Sequence, residues 1–155
     1  MQAYLVQHAE ALSKEQNPDR PLTEAGRADI DRVGQHLAIV VGLQVARIWH
    51  SGKTRAAQTA EALASQLHPP LGVRSAEGLS PNDDPRIWGE QLSAMAHDVL
   101  LVGHLPHLAR LAGLLLTGNP DQQPVSFRNG GVVCLSKEQD GWTVAWALTP
   151  QLLTG

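Results

Sequence analysis

The sequence predicts an α/β protein built on a mostly parallel sheet. Short apolar runs alternate along the chain with segments of helical periodicity, the pattern of strand–helix–strand units. The run Val99-Leu100-Leu101-Val102-Gly103 is continuously apolar, as a central strand covered on both faces requires. The tail changes pattern: Gly131 to Leu135 and Trp142 to Leu148, either side of Lys137-Glu138-Gln139-Asp140-Gly141, read as a β-hairpin.

Taken in order, Ala3-Tyr4-Leu5-Val6 reads as the first strand, and Gln7-His8-Ala9-Glu10 follows it. Asn17-Pro18-Asp19 signals a loop. Thr23 is placed to cap a helix whose apolar positions Ile30, Val33, Leu37 and Val40 or Val41 recur at helical spacing, with Gly42 as its stop. Val45 to Trp49 reads as a second strand, His50-Ser51-Gly52 as a turn, and Lys53 to Gln66 as a helix ended by Pro69-Pro70. Leu71 to Arg74 suits a short strand. Ser80 to Pro85 suits a loop, and Arg86 to Met95 a helix with Pro85 near its first turn. After the Val99–Gly103 strand, Leu105 to Leu116 reads as an apolar helix ending near Thr117-Gly118.

The chain has 155 residues, of which 43% are apolar, which suits one domain spanning residues 1–155. A formal net charge of -3 argues against a nucleic-acid binder. Cys134 is the one cysteine, so neither an internal disulfide nor a thiolate metal cluster is expected. No signal peptide is legible and no apolar run reaches membrane-spanning length, so a cytoplasmic protein with no membrane partner is expected.

Three strand ends carry the chemistry: Gln7-His8, His50-Ser51 and His104. In a parallel sheet they fall on one edge, the edge where open α/β sheets bind ligands. Arg20 lies in the first connection and Arg55 in the first turn of the second helix. Two histidines with two arginines suit a phosphoryl group, because the guanidinium fork matches two phosphate oxygens at once. One imidazole can attack phosphorus and become phosphohistidine, which water then hydrolyses. The other imidazole and the arginines can hold charge on the equatorial oxygens. No metal and no cofactor is needed for this.

Four blocks in order carry a resemblance over nearly the whole chain. They are Leu5-Val6-Gln7-His8-Ala9, Asp19-Arg20-Pro21-Leu22-Thr23-Glu24-Ala25-Gly26, Ser51-Gly52-Lys53-Thr54-Arg55-Ala56-Ala57-Gln58-Thr59-Ala60 and Leu101-Val102-Gly103-His104-Leu105-Pro106-His107-Leu108. The chain resembles the histidine phosphatase superfamily, in its short, cap-less branch typified by the phosphohistidine phosphatase SixA. The resemblance implies a phosphoglycerate mutase-like three-layer sandwich with helices on both faces of the sheet. It implies a metal-independent phosphatase with His8 as nucleophile, His104 as second histidine, and Arg55, Arg20, Gln7 and Ser51 around the phosphoryl group. The implied substrate is a phosphorylated protein, such as a histidine-phosphotransfer domain, or a small phosphorylated compound.

Two positions depart from the family pattern. Its motif has arginine directly before the nucleophilic histidine, and here that place is Gln7. Losing a charge-assisted contact costs about 1.5–3 kcal/mol, or roughly one to two orders of magnitude in rate. A weakened or inactive member that binds phosphate or a phosphoprotein is therefore the alternative reading. Gly52 replaces the proline that usually follows the motif serine. The carboxylate that would protonate a leaving alkoxide falls near Gly78, which has no side chain; Glu77, Asp83 and Asp84 are its neighbours. This leans toward a phosphoramidate substrate, whose imidazole leaves more readily than an alkoxide.

Other readings of the same residues fail on spacing. Ser51 is preceded by His50 and Trp49, so the glycine-flanked nucleophile elbow is missing. Gly52-Lys53-Thr54 ends like a P-loop, but Arg47 stands where its first glycine belongs. His104 and His107 have no evident thiol or carboxylate partner for zinc. His50 reads as a supporting or surface residue, and Trp142 and Trp146 as core.

Overall fold

A computed structural model describes residues 1–153. Six strands form one sheet in the order β3-β2-β4-β1-β5-β6. They are β1 (Gln2–Gln7), β2 (Ile48–His50), β3 (Val73–Ser75), β4 (Val99–Gly103), β5 (Val132–Glu138) and β6 (Gly141–Leu148). The helices are α1 (Glu24–His36), α2 (Thr54–Leu67), α3 (Pro85–Ala94) and α4 (His107–Thr117). The pairings among β3, β2, β4 and β1 are parallel, and those of β1 with β5 and β5 with β6 are antiparallel. The mostly parallel sheet and the C-terminal hairpin are therefore as the sequence predicts.

Strand alternation divides the core in two. Tyr4, Val6, Ile48, Leu100 and Val102 face one side with Ile30, Val33, Ala56 and Leu63 of α1 and α2. Ala3, Leu5, Val99 and Leu101 face the other with Trp88 and Leu92 of α3 and Leu108 and Leu111 of α4. All five β4 residues are buried, which explains why that run carries no polar alternation. The sheet is thus the middle layer of three.

Local signals explain the ends of α1. The Thr23 hydroxyl accepts from Gly26 N at 2.9 Å, and the same hydroxyl donates to Glu10 Oε1 at 2.7 Å. A Cβ on Gly26 would lie 2.2 Å from the Glu10 carbonyl oxygen, so only glycine lets the helix approach the loop after β1 this closely. At its far end α1 passes into a π-helical segment, Leu37–Val41, closed by Gly42 at φ 68°. The predicted stop is correct, though the final turn is wider than an α-turn.

Boundaries shift elsewhere. The second strand begins at Ile48 rather than Val45 and extends through His50, pairing with residues 73–75 of β3 and 100–102 of β4. The hairpin strands run on to Glu138 and restart at Gly141, absorbing most of the polar stretch. An irregularity at Cys134/Leu135 pairs Cys134 with Trp146 and Leu135 with Val144. It sends Trp146 to one core and Trp142 to the other. Both tryptophans are half-buried rather than central, as suits an outer strand.

Candidate active site

The ends of β1, β2 and β4 meet at the carboxyl edge of the sheet. In register, Gln7 pairs with Gly103 and His50 with Val102, so His8, Ser51 and His104 leave the sheet at one level. The His8 and His104 ring centroids are 5.0 Å apart, with planes inclined by 50°. Both rings are buried, His8 with 8% and His104 with 1% of its surface exposed.

The backbone around His8 is braced from three directions. His8 N donates to the Gly103 carbonyl at 3.0 Å. The carbonyl of His8 accepts from Asn129 Nδ2 at 3.0 Å and from Gly130 N at 3.2 Å. The next amide, Ala9 N, donates to Thr59 Oγ1 at 3.0 Å, and that hydroxyl donates to the Arg55 carbonyl at 2.8 Å. One turn of α2 therefore fixes both the loop carrying His8 and the backbone of Arg55. The sequence reading gave no role to Thr59 or Asn129; the only signal for the latter was Asn129-Gly130 as a turn dipeptide.

The ring of His8 is fixed in one tautomer. Its Nδ1 lies 2.8 Å from the Ala9 carbonyl oxygen, and a carbonyl can only accept, so Nδ1 carries the proton. Nε2 is left with a lone pair. Burial pushes the His8 pKa down to about 4, with the Arg55 and Arg20 cations adding to the shift and the Ala9 bond opposing it. The imidazole is thus neutral at neutral pH, with the lone pair on Nε2.

His104 is held by Ser51, whose Oγ lies 2.6 Å from Nε2. Its Nδ1 is buried without a partner. The Ser51 hydroxyl can donate to Nε2 or accept from it, so the contact fixes the ring's orientation and not its tautomer. Burial first, then His8, Arg55, Lys53 and His107, depress its pKa to about 3.

The cations arrive from two loops. Arg55 sits in the first turn of α2, and its Nε is buried without a partner. Burial and the neighbouring Arg20 charge lower its pKa. Arg20 has φ 49°, in the left-handed region that costs a non-glycine residue on the order of 1–3 kcal/mol. Its Nε donates to the Leu12 carbonyl at 2.9 Å. Neither α2 nor α4 has a side-chain cap at its N-terminus, unlike α1. The positive ends of their dipoles add anion preference at this edge.

Gln7 extends from the end of β1, and its Oε1 is buried without a donor. His50 accepts from Gly52 N through Nδ1 at 3.0 Å and shapes the turn that presents Ser51, so it is a buried support. His107 is fully buried with neither ring nitrogen partnered. Among the described residues no group of three or more histidine, cysteine, aspartate or glutamate side chains is arranged to hold a metal ion. Among the same residues no helix is long and apolar enough to cross a membrane.

Comparisons with known proteins agree with this architecture. The chain superposes on the protein histidine phosphatase SixA complexed with tungstate with a TM-score of 0.86 at 24% identity, covering 99% of this chain and 100% of that one. The alpha-ribazole phosphatase of Shigella flexneri superposes with a TM-score of 0.77 at 16% identity, over 97% of each chain. A mutant phosphoserine phosphatase of Entamoeba histolytica in complex with phosphoserine gives 0.73 at 16% identity, over 99% of each. No curated protein matches by sequence. The model of the histidine phosphatase superfamily (branch 1) matches residues 3–80, which hold the His8, Arg20, Ser51 and Arg55 blocks. With half of its length matched to that model, the chain belongs to the histidine phosphatase superfamily.

Proposed function

We propose that this chain is a phosphatase that passes a phosphoryl group from its substrate to His8 and then to water. The observation that carries this reading is the His8 tautomer, with Nδ1 committed to the Ala9 carbonyl and Nε2 unprotonated beside Arg55 and His104. Nε2 attacks phosphorus in line, the bond to the leaving group breaks, and its electrons go with the leaving group. Water then attacks phospho-His8, releasing phosphate and restoring the lone pair. Arg55, Arg20, the Gln7 amide and His104, protonated at Nε2 when the anion binds, hold the phosphoryl oxygens. All of this uses the protein's own side chains.

The substrate class is a protein phosphohistidine or a small phosphorylated compound. The likeness to SixA supports the former, and Gly78 in place of an acid supports it independently. The test is hydrolysis of a phosphohistidine protein and of an aryl phosphate by wild type and His8→Ala. Turnover by wild type that vanishes in His8→Ala supports the reading, and equal rates from both proteins refute it.

Gln7 favours a second reading, in which the site binds phosphate or a phosphoprotein without turnover. An uncharged amide with its oxygen turned into the protein is a poor replacement for a guanidinium. Phosphate binding by a wild-type protein that hydrolyses neither substrate would support this second reading.

A further inference from the structure

The register of β1 with β5 decides what stands beside His8. Val6 pairs with Val132, so the same antiparallel register carried two residues further sets Gly130 opposite His8. Arg128 to Gly131 form a turn closed by Gly131 N on the Arg128 carbonyl at 2.9 Å. Gly130 fills its third place at φ 73°, a left-handed conformation that favours glycine.

This turn brings two donors to one oxygen. Asn129 Nδ2 lies 3.0 Å from the His8 carbonyl, and a carbonyl only accepts, so the nitrogen end of the amide faces it. Gly130 N reaches the same oxygen at 3.2 Å but also serves the Gln7 carbonyl at 2.9 Å. Asn129 is therefore the undivided donor.

The other side of the same peptide is held by α2. Thr59 is fully buried, and its hydroxyl donates to the Arg55 carbonyl four residues back at 2.8 Å. Its oxygen then accepts from Ala9 N at 3.0 Å. The peptide joining His8 to Ala9 is thus gripped at its C=O by Asn129 and at its N–H by Thr59. These residues stand 121 positions from His8 and 50 from Ala9 in the chain. Holding that plane directs the next carbonyl, that of Ala9, which lies 2.8 Å from His8 Nδ1.

Resting on the phosphatase reading above, we propose that Asn129 and Thr59 are positioning residues that fix the His8 tautomer. By gripping the His8–Ala9 peptide from both sides they aim the Ala9 carbonyl at Nδ1 and keep the Nε2 lone pair available to phosphorus. Which nitrogen of a neutral imidazole carries the proton follows from the bonds the ring makes. When the grip loosens, the Ala9 carbonyl turns away and the ring takes up the form protonated at Nε2, which has no electron pair to give there.

The Nδ1 proton stays in place through both chemical steps. As Nε2 bonds to phosphorus, the leaving group departs with its electron pair and the ring becomes cationic. The Nδ1–H bond to the Ala9 carbonyl is then charge-assisted and stronger. When water attacks phospho-His8, the P–N electron pair returns to Nε2 and both water protons leave with the phosphate. The ring ends neutral, with Nδ1 still protonated. Asn129 and Thr59 act on the ring through the backbone and hold no phosphoryl oxygen, so their loss should lower kcat and leave anion affinity unchanged.

The experiment records the ring nitrogens of His8 by NMR in protein labelled with nitrogen-15 histidine, with His8→Gln identifying the signals. It adds kcat on p-nitrophenyl phosphate and on a phosphohistidine peptide, and calorimetric binding of inorganic phosphate. The proteins are wild type, Asn129→Ala, Thr59→Val and Thr59→Ser. Asn129 is exposed and Gly130 N remains on the His8 carbonyl, so Asn129→Ala should fold even where Thr59→Val, which leaves the Ala9 N–H unpaired, does not. Wild type should show Nδ1 protonated and Nε2 bare. Asn129→Ala and Thr59→Val should move protons to Nε2 and lose about five- to tenfold in kcat, the size of one neutral hydrogen bond, with phosphate affinity unchanged. Thr59→Ser keeps the hydroxyl and should match wild type in all three measurements. A wild-type tautomer in Asn129→Ala, or a fall in kcat matched by an equal fall in phosphate affinity, overturns the proposal. Wild type that hydrolyses neither substrate removes the phosphatase reading, and the tautomer in Asn129→Ala still decides whether the peptide grip sets it.

Discussion

The hydroxyl of Ser51 lies 2.6 Å from Nε2 of His104, which joins the loop opening α2 to the residue that follows β4. The bond aligns the second imidazole within the site. In Ser51→Ala that bond is lost and the ring gains rotational freedom. A neutral hydrogen bond is worth about 1 kcal/mol net, so kcat/KM should fall about five- to tenfold, read by steady-state kinetics. Unchanged kinetics would mean that Ser51 does not orient His104 during turnover.

Gln7 is the position where a single change should improve the site. In Gln7→Arg a charged fork replaces an amide whose oxygen is buried and unpartnered. The expected gain in kcat/KM is about ten- to a hundredfold, from about 1.5–3 kcal/mol of charge-assisted contact. A folded Gln7→Arg protein with no gain would show that the phosphoryl group does not reach this end of β1.

Arg55 carries an unpartnered buried Nε, a donor whose desolvation is uncompensated until an anion arrives. Inorganic phosphate should therefore bind wild type and raise its melting temperature. Arg55→Ala should weaken that binding at least about tenfold. Arg55→Lys should restore only part of it, because an ammonium cannot make the forked contact. Calorimetric titration reads all three, and undiminished binding by Arg55→Ala would place the anion elsewhere.

The site histidines also make stability depend on pH. His8 and His104 titrate near about 4 and about 3 in the folded chain, mainly through burial. In the unfolded chain both titrate near about 6.5. As pH falls from there toward 4 the unfolded chain takes up protons that the folded chain refuses, so stability falls with it. The urea midpoint should be lower at pH 5 than at pH 7.5, and His8→Gln should shrink that difference. A difference equally large in His8→Gln would assign the effect to other groups, such as buried His107.

Most of this fold was legible because its signals are local. The unbroken apolar run of β4, the Thr23 cap and the Gly42 stop each need only their neighbours in sequence. Block order pointed to His8, Arg55 and His104, which the structure brings together at one edge of the sheet. What the sequence concealed is contact across long separations: Asn129 on the His8 carbonyl, Thr59 on Ala9 N and Glu10 on Thr23. The two faces taken by Trp142 and Trp146 were hidden for a similar reason. They follow from an irregularity in pairing with β5, which the residues of β6 do not announce. The shift of β2 toward His50 was likewise set by its partners β3 and β4.

The most direct test of the central claim is a rapid-quench search for phosphate on the protein. Substrate carrying labelled phosphorus is mixed with enzyme, turnover is stopped in alkali, where phosphohistidine survives, and the label is located by peptide mass spectrometry. The predicted result is transient label on His8, absent in His8→Ala and released at the rate of turnover. Label on another residue, or turnover that persists without His8, would contradict the account.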